Sequence, residues 1–211
     1  MQHAGGPNPY KVAIIMEELG VPYEYKLHDF SSMKSEAFLK LNPNGRVPAI
    51  EDPNTGIVLF ESGAIIEYLI DTYDNEKKLT YDSFPEKYQL KSWLHFQMSG
   101  QGPYFGQGVW FKHFHKENLP SAIERYQNEA KRIFGVLDLH LGRNKTPYLL
   151  GDKATYADLA FVPWLWYRER LFGELPDPTP DFPHFAAWAE RLMARPSVQK
   201  MHALLKKNTG Q

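Results

Sequence analysis

Between Asn42 and Tyr73 the chain reads NPNGRVPAIEDPNTGIVLFESGAIIEYLIDTY. Pro, Asn and Gly at its start are turn residues, and VPAIED follows as a strand. PNTG at 53–56 reverses that strand into IVLF at 57–60, which makes a hairpin. ESGAIIEYLIDTY then carries helical spacing from residue 61 to 73.

Upstream, Val12, Ile15, Met16 and Leu19 recur at helical spacing and give one apolar face. Asn8 suits the N-cap of that helix, Pro9 its first position and Gly20 its end. In VPYEYKL (21–27), Tyr23, Tyr25 and Leu27 alternate with polar residues, the pattern of a half-buried strand. A short helix is predicted from Ser35 to Leu41. The order to Tyr73 is therefore helix, strand, helix, strand, strand, helix.

Downstream the character changes. Residues 74–84 are polar and poor in helix signals, and read as a linker. From Pro85 onward, QLKSWLHFQMSG, LPSAIERYQNEAKRIFGVLDLHLG, TYADLAFVPWLWYRERLF, FPHFAAWAERLMARP and SVQKMHALLKK all carry helical spacing. The expected architecture is an α/β domain over 1–73 followed by an all-helical domain over 85–211. GQGPYFGQGVWFKHFH (100–115) is too rich in glycine to be expected as one uninterrupted helix.

Composition narrows the functions open to such a chain. Its 211 residues are 43% hydrophobic and 23% charged with a net charge of -1, so no overall field draws nucleic acid or an anionic membrane. The chain has no cysteine, which removes thiolate metal sites and a cysteine nucleophile. Any thiol chemistry must use a thiol brought by a ligand. No apolar run approaches a membrane span and the first residues lack a signal-peptide pattern, so a cytoplasmic location is expected.

Three stretches carry candidate chemistry. GGPNPYK places a turn and Asn8 at a helix start, where amide groups receive a negative ligand atom. NGRVPAI sets Arg46 at a strand entrance, and Val47–Pro48 is a candidate cis peptide that would turn the Val47 backbone toward a peptide-like ligand. FESGA puts Glu61 and Ser62 at the next helix start. Each residue also has a plain structural reading: Asn8 and Ser62 as caps, Glu61 as a dipole partner, Arg46 as a solvated charge. Their order along the chain is what singles them out.

That order resembles the cytosolic glutathione transferases over essentially the whole chain. NPNGRVPAI is similar to the family's cis-proline segment, FESGAI to its γ-glutamyl-binding segment and GDKATYADLAFVPW to its capping-box motif. PNPYKVAI, FQMSGQGPYFGQ and SAIERYQNEAKRIFGVLD resemble the branch holding fungal nitrogen-regulator proteins and the bacterial nu class. The resemblance implies a thioredoxin-like first domain and glutathione as co-substrate, with Asn8 beside its sulfur. It implies Arg46, Val47 and Pro48 at the cysteinyl and glycyl parts, Glu61 and Ser62 at the γ-glutamyl end, and Lys34 as a further polar contact. Arg125 resembles a residue that reaches the neighbouring subunit's glutathione, which implies a homodimer. Thr155 and Asp158 read as a reciprocal cap with a structural role.

Tyr104, Phe105, Trp110 and Phe111 are the expected walls for an apolar acceptor. His113 and His115 stand two apart, which does not suit a helical metal pair, and no metal is expected. The family's first strand precedes its first helix, whereas here MQHA precedes GGPNPY. The expectation is a sheet lacking its full first strand and a first domain that is marginal or dimer-dependent. Three functions follow from the resemblance: a glutathione transferase that conjugates electrophiles or reduces disulfides and peroxides, a biosynthetic tailoring enzyme using glutathione for conjugation or isomerisation, and a weakly catalytic glutathione-binding regulator.

Overall fold

The computed structural model describes residues 6–173 and 177–210. Its contacts divide into two compact units, one of residues 1–78 with 196–211 and the other of residues 79–195.

In the first unit, helix α1 spans Pro7–Leu19 and is capped by Gly6 in an extended conformation. It begins two residues before the predicted start because Pro7 presets the helical φ at the first position. Asn8 is consequently inside the first turn and is not the cap. Gly20, at φ 69°, ends the helix and donates its amide to Glu17 and Met16 carbonyls. Helix α2 (Glu36–Leu41) is capped by Ser35, whose Oγ accepts from the Phe38 amide at 3.3 Å.

Strands β1 (Ala49–Asp52) and β2 (Ile57–Phe60) pair antiparallel with Ala49 opposite Phe60 and Asp52 opposite Ile57. This is the hairpin that PNTG predicts. Helix α3 (Ser62–Tyr73) buries Ile65, Ile66, Leu69 and Ile70, each contributing about 1.5–3 kcal/mol, and packs on α1. It is tied to β1 by Asp52, which accepts from the Tyr68 hydroxyl at 2.7 Å and from that of Tyr73.

The strand predicted at 21–27 is not formed: the segment alternates in exposure as far as Lys26 but has no regular secondary structure and joins no ladder among the described residues. Leu27 is exposed. The expectation about the segment before the first helix falls on residues 1–5, outside the described residues. Helix α10 (Pro196–Thr209), grouped above with the helical domain, packs on α1. Lys200 pairs with Glu17 at 2.8 Å, and Asn208 donates to the Tyr10 hydroxyl at 3.2 Å.

The second unit is helical. Helix α4 (Glu86–Phe96) runs through a π-helical turn at Gln97–Gln101 into α5 (Gly102–His113). The glycine-rich stretch is thus no single uninterrupted helix, passing from a π-helical turn into α5 and ending at His113, yet it is more helical than its glycines suggest. Its glycines answer to packing. A Cβ at Gly108 would lie 2.3 Å from Leu171 Cδ1, and one at Gly106 would lie 3.1 Å from the Trp164 ring. Neighbouring side chains therefore rest directly on the α5 backbone, and that contact offsets the low helix propensity of glycine.

Helices α6 (Pro120–Asn144), α7 (Tyr156–Leu165), α8 (Arg168–Phe172) and α9 (Pro183–Met193) complete this unit. Phe105, Phe134, Phe161, Phe185 and Trp188 are fully buried and form its aromatic core. Asp158 anchors α7 as the sequence predicts. It accepts from the Thr155 amide at 2.9 Å and the Thr155 hydroxyl at 2.6 Å, and additionally from the Leu149 amide and Trp188 Nε1. Among the described residues no helix is long and apolar enough to cross a membrane.

Candidate functional site

The first unit gathers seven of the predicted site residues on three consecutive features. Asn8 is half-buried in the first turn of α1, where Gly6 makes no side-chain cap and no acidic residue occupies the turn. Pro7 and Pro9 flank it and carry no N–H, so at these three positions the backbone donor is that of Asn8. Backbone and carboxamide donors therefore coincide at one residue, in the positive end of the helix field.

The second feature is the 42–48 turn. Asn42, 2% exposed, donates its carboxamide to the Arg46 carbonyl at 2.6 Å and accepts from the Asn44 amide. Lys34 Nζ donates to the Gly45 carbonyl at 3.2 Å, which brings Lys34 beside Arg46. Gly45 has φ 60°, and a Cβ there would sit 2.7 Å from Lys34 Nζ, so glycine alone suits both the turn and the close approach. The guanidinium of Arg46 belongs to an exposed residue. The Val47–Pro48 peptide is cis, as the sequence suggests.

The third feature is the start of α3. Glu61 has φ 71° and ψ 116°, and its side chain makes no cap bond. A non-glycine residue in that region costs about 1–3 kcal/mol and persists where surrounding structure holds it. Ser62 follows, 4% exposed, as the first helical residue. Glu61 is exposed, so a carboxylate stands in water at a helix N-terminus beside a buried hydroxyl-bearing residue.

The sequence reading passes over Lys11. It is 1% exposed on α1, three residues beyond Asn8. Burial lowers its pKa from 10.5 to about 7, opposed by the charge of Glu61. This interaction links α1, one turn beyond Asn8, electrostatically to the start of α3. The signal was present in the sequence: Lys11, Ile14, Ile15 and Glu18 share one helical face, so two charges lie on a stripe that the apolar pattern extends.

The remaining candidates lie in the second unit. Arg125 is exposed on α6. Tyr104 and Phe111 are half-buried around Tyr126, with the Phe111 and Tyr126 rings stacked at 5.5 Å. Trp110 is exposed and meets Phe111 edge-on at 4.9 Å. Phe105 is fully buried against Phe134 and Trp164, and is a core residue that cannot wall an open pocket. His113 donates from Nε2 to the Arg170 carbonyl at 2.7 Å, while His115 packs on Trp110 and Phe111. Among the described residues no group of three or more His, Cys, Asp or Glu could hold a metal ion.

A groove of about 700 Å³ in the first unit includes Pro9, Val47 and Pro48 in its lining. Residues 21–28 and β1 line it as well.

Comparison with known proteins bears on the same features. Residues 5–72 match the model of the glutathione S-transferase N-terminal domain, and residues 103–196 that of the C-terminal domain. The chain is 50% identical over 202 residues to the glutathione S-transferase-like protein OpS6 of Beauveria bassiana, covering 95% of this chain and 92% of that one. Its fold superposes on the glutathione transferase URE2P6 of Phanerochaete chrysosporium, crystallised with oxidised glutathione. The TM-score is 0.91 at 44% identity, over 98% of this chain and 94% of that one. Ure2p5 of the same fungus, cocrystallised with 1-(S-glutathionyl)-2,4-dinitrobenzene, superposes with TM-score 0.89 at 37% identity, covering 100% of this chain and 95% of that one.

Proposed function

The chain belongs to the glutathione S-transferase family, and from that premise we propose that its first unit binds glutathione and activates the thiol for transfer to an electrophile. One observation carries the reading: Glu61, held at positive φ without capping α3, presents a carboxylate beside Ser62 where the ammonium end of a γ-glutamyl group would pair. Asn8 takes the sulfur at the start of α1. Arg46, Lys34 and the backbone at Val47–Pro48 take the cysteinyl and glycyl parts. Arg125 serves the glutathione of a second subunit in a cytoplasmic homodimer.

The chemistry required is small. A free thiol near pKa 8.5 is only a few per cent ionised at neutral pH, and lowering it by one or two units requires about 1.4 to 3 kcal/mol. A helix N-terminus and the Asn8 donors are of that size. Asn8 donates but takes no proton, so the thiol proton leaves to water or to the tripeptide's own carboxylate. The thiolate then forms the S–C bond as the leaving group departs with the bonding pair. The same thiolate would open a disulfide, making reductase activity the finer alternative.

Retention on glutathione-agarose with elution by free glutathione tests binding. Glutathione-thiol titration tests the mechanism. Asn8→Ala should raise the bound thiol's pKa, and Asn8→Asp should raise it further by placing a negative charge against the thiolate. Titration unchanged in both variants would sink the role given to Asn8. Turnover of an aryl halide against a mixed disulfide separates conjugation from reduction.

A further inference from the structure

Helix α9 packs on α6, and a pocket of about 430 Å³ in the second unit is lined by the end of α6, the turn that follows it and α9. His184, Ala187 and Arg191 fall at helical spacing and share one face of α9. Leu141, Pro147 and Ala187 supply hydrocarbon to the lining, while Lys145, His184 and Arg191 supply two cations and an imidazole. No carboxylate belongs to it. Asp138, one turn before Gly142 on α6, spends an oxygen on the His184 and Phe185 amides at 2.7 and 3.0 Å. Arg191 holds the Pro147 carbonyl through Nη2 at 2.7 Å and Nε at 3.2 Å, with its guanidinium 6.0 Å from the Tyr148 ring centre. The planar fork is thereby oriented, and its Nη1 edge is left over for a ligand. Lys145 follows α6 at φ 53° and donates its amide to the Leu141 carbonyl. The His184 ring lies against the α6 backbone, where a Cβ at Gly142 would come 2.7 Å from its Cδ2. Among the described residues neither the Lys145 ammonium nor the His184 ring has a hydrogen-bond or ion-pair partner.

We infer that this pocket is a binding site for a small organic phosphate monoester, independent of the glutathione site proposed in the first unit. Charge selects the head of the ligand. Lys145 and Arg191 bring two full positive charges, of which the carbonyls ending α6 offset about half of one. A phosphate monoester carries about −1.5 to −2 at neutral pH and matches that remainder, whereas a monocarboxylate leaves a cation unmatched. The free guanidinium edge, the ammonium and the imidazole donate to its oxygens. Volume and hydrocarbon select the body. Small-molecule pockets span about 300–1,000 Å³ and are mostly apolar with a few placed polar groups, and this one has room beyond the head for an apolar portion against Leu141, Pro147 and Ala187. Structural duties explain each cation singly, since Arg191 holds a turn carbonyl and Lys145 suits a helix C-terminus. They do not explain why two cations and an unpartnered imidazole share one pocket without an acid.

The probe is phenyl phosphate, titrated into the full chain by calorimetry with and without saturating glutathione, with thermal melts alongside. Saturable one-to-one binding with a Kd below about 1 mM and a raised Tm is expected, unchanged by glutathione. Benzoate, which has the body with a single charge, and inorganic phosphate, which has the head without the body, should each bind about tenfold more weakly or worse. Lys145→Asn removes one charge while keeping a residue that accepts the left-handed conformation. Ala187→Glu places a carboxylate among the cations. Each should weaken phenyl phosphate about tenfold, with circular dichroism establishing that the variant is folded. Both positions are exposed, so either variant serves if the other unfolds. No saturation by about 10 mM phenyl phosphate overturns the inference. So do benzoate or inorganic phosphate binding as tightly, displacement of the probe by glutathione, or unchanged affinity in the folded variants, which would put the probe elsewhere on the chain.

Discussion

Replacing Lys11 with methionine should remove most of the rise in stability with pH that the wild type shows between pH 6 and 9. Lys11 has a folded pKa of about 7 against 10.5, because burial penalises its charge more than Glu61 relieves it. Between those two values the unfolded chain holds a proton that the folded chain has released, so stability increases with pH. The slope is about 1.4 kcal/mol per unit at full difference, and integration from pH 6 to 9 gives roughly 3 kcal/mol. Below about pH 6 the lysine is charged in both states and the burial penalty is felt in full. Methionine keeps the volume and the unbranched stem while carrying no charge. Urea unfolding at four pH values would therefore give a variant more stable than wild type at pH 6, with the advantage shrinking by about 3 kcal/mol at pH 9. Tyr23, Tyr73 and Tyr81, whose pKa values are raised, act above this window. The lowered pKa of His202 is common to both proteins and cancels in the difference. A wild-type-to-variant difference constant within about 0.5 kcal/mol across the range would refute the burial argument.

Two further outcomes follow from the packing. Asp158→Ala should destabilise the chain by about 4 kcal/mol or more in urea unfolding, because it strands the buried donors of Leu149, Thr155 and Trp188, each at about 1–3 kcal/mol; a loss under 1 kcal/mol would contradict the role given to that carboxylate. Lys200→Ala should cost about 0.5–1 kcal/mol at low salt and nothing measurable in 1 M NaCl, since its partner Glu17 is reached by an exposed ammonium. The Lys200 hydrogen bond leads the lowering of the Glu17 pKa, so the contribution holds at neutral pH and is lost as pH falls through that lowered value.

What was legible in the sequence was whatever local chemistry decides, and the misses mark where tertiary contacts take over. PNTG fixes a reversal within four residues, and the hairpin register follows from it. Thr155 and Asp158 cap a helix by their own side chains, so the motif can be read before the fold is known. The glycine-rich 100–115 stretch looks unhelical because propensity counts the missing side chains and cannot count the Leu171 and Trp164 atoms that occupy their places. Phe105 illustrates the same limit, since no pattern distinguishes an aromatic that walls a pocket from one that closes a core. Periodicity found α10 but not its partner α1, which lies more than 170 residues earlier in the chain. The candidate site divides along this line. Turn and helix-start residues at 8, 46–48 and 61–62 were visible because each breaks a local rule: proline at a strand entrance, or a polar residue where a helix begins. Lys11 obeys the local helix pattern, and its chemistry arises only when α1 is buried with Glu61 nearby. A residue of that kind becomes visible when burial is set against charge, so the electrostatic half of this site had to come from the structure.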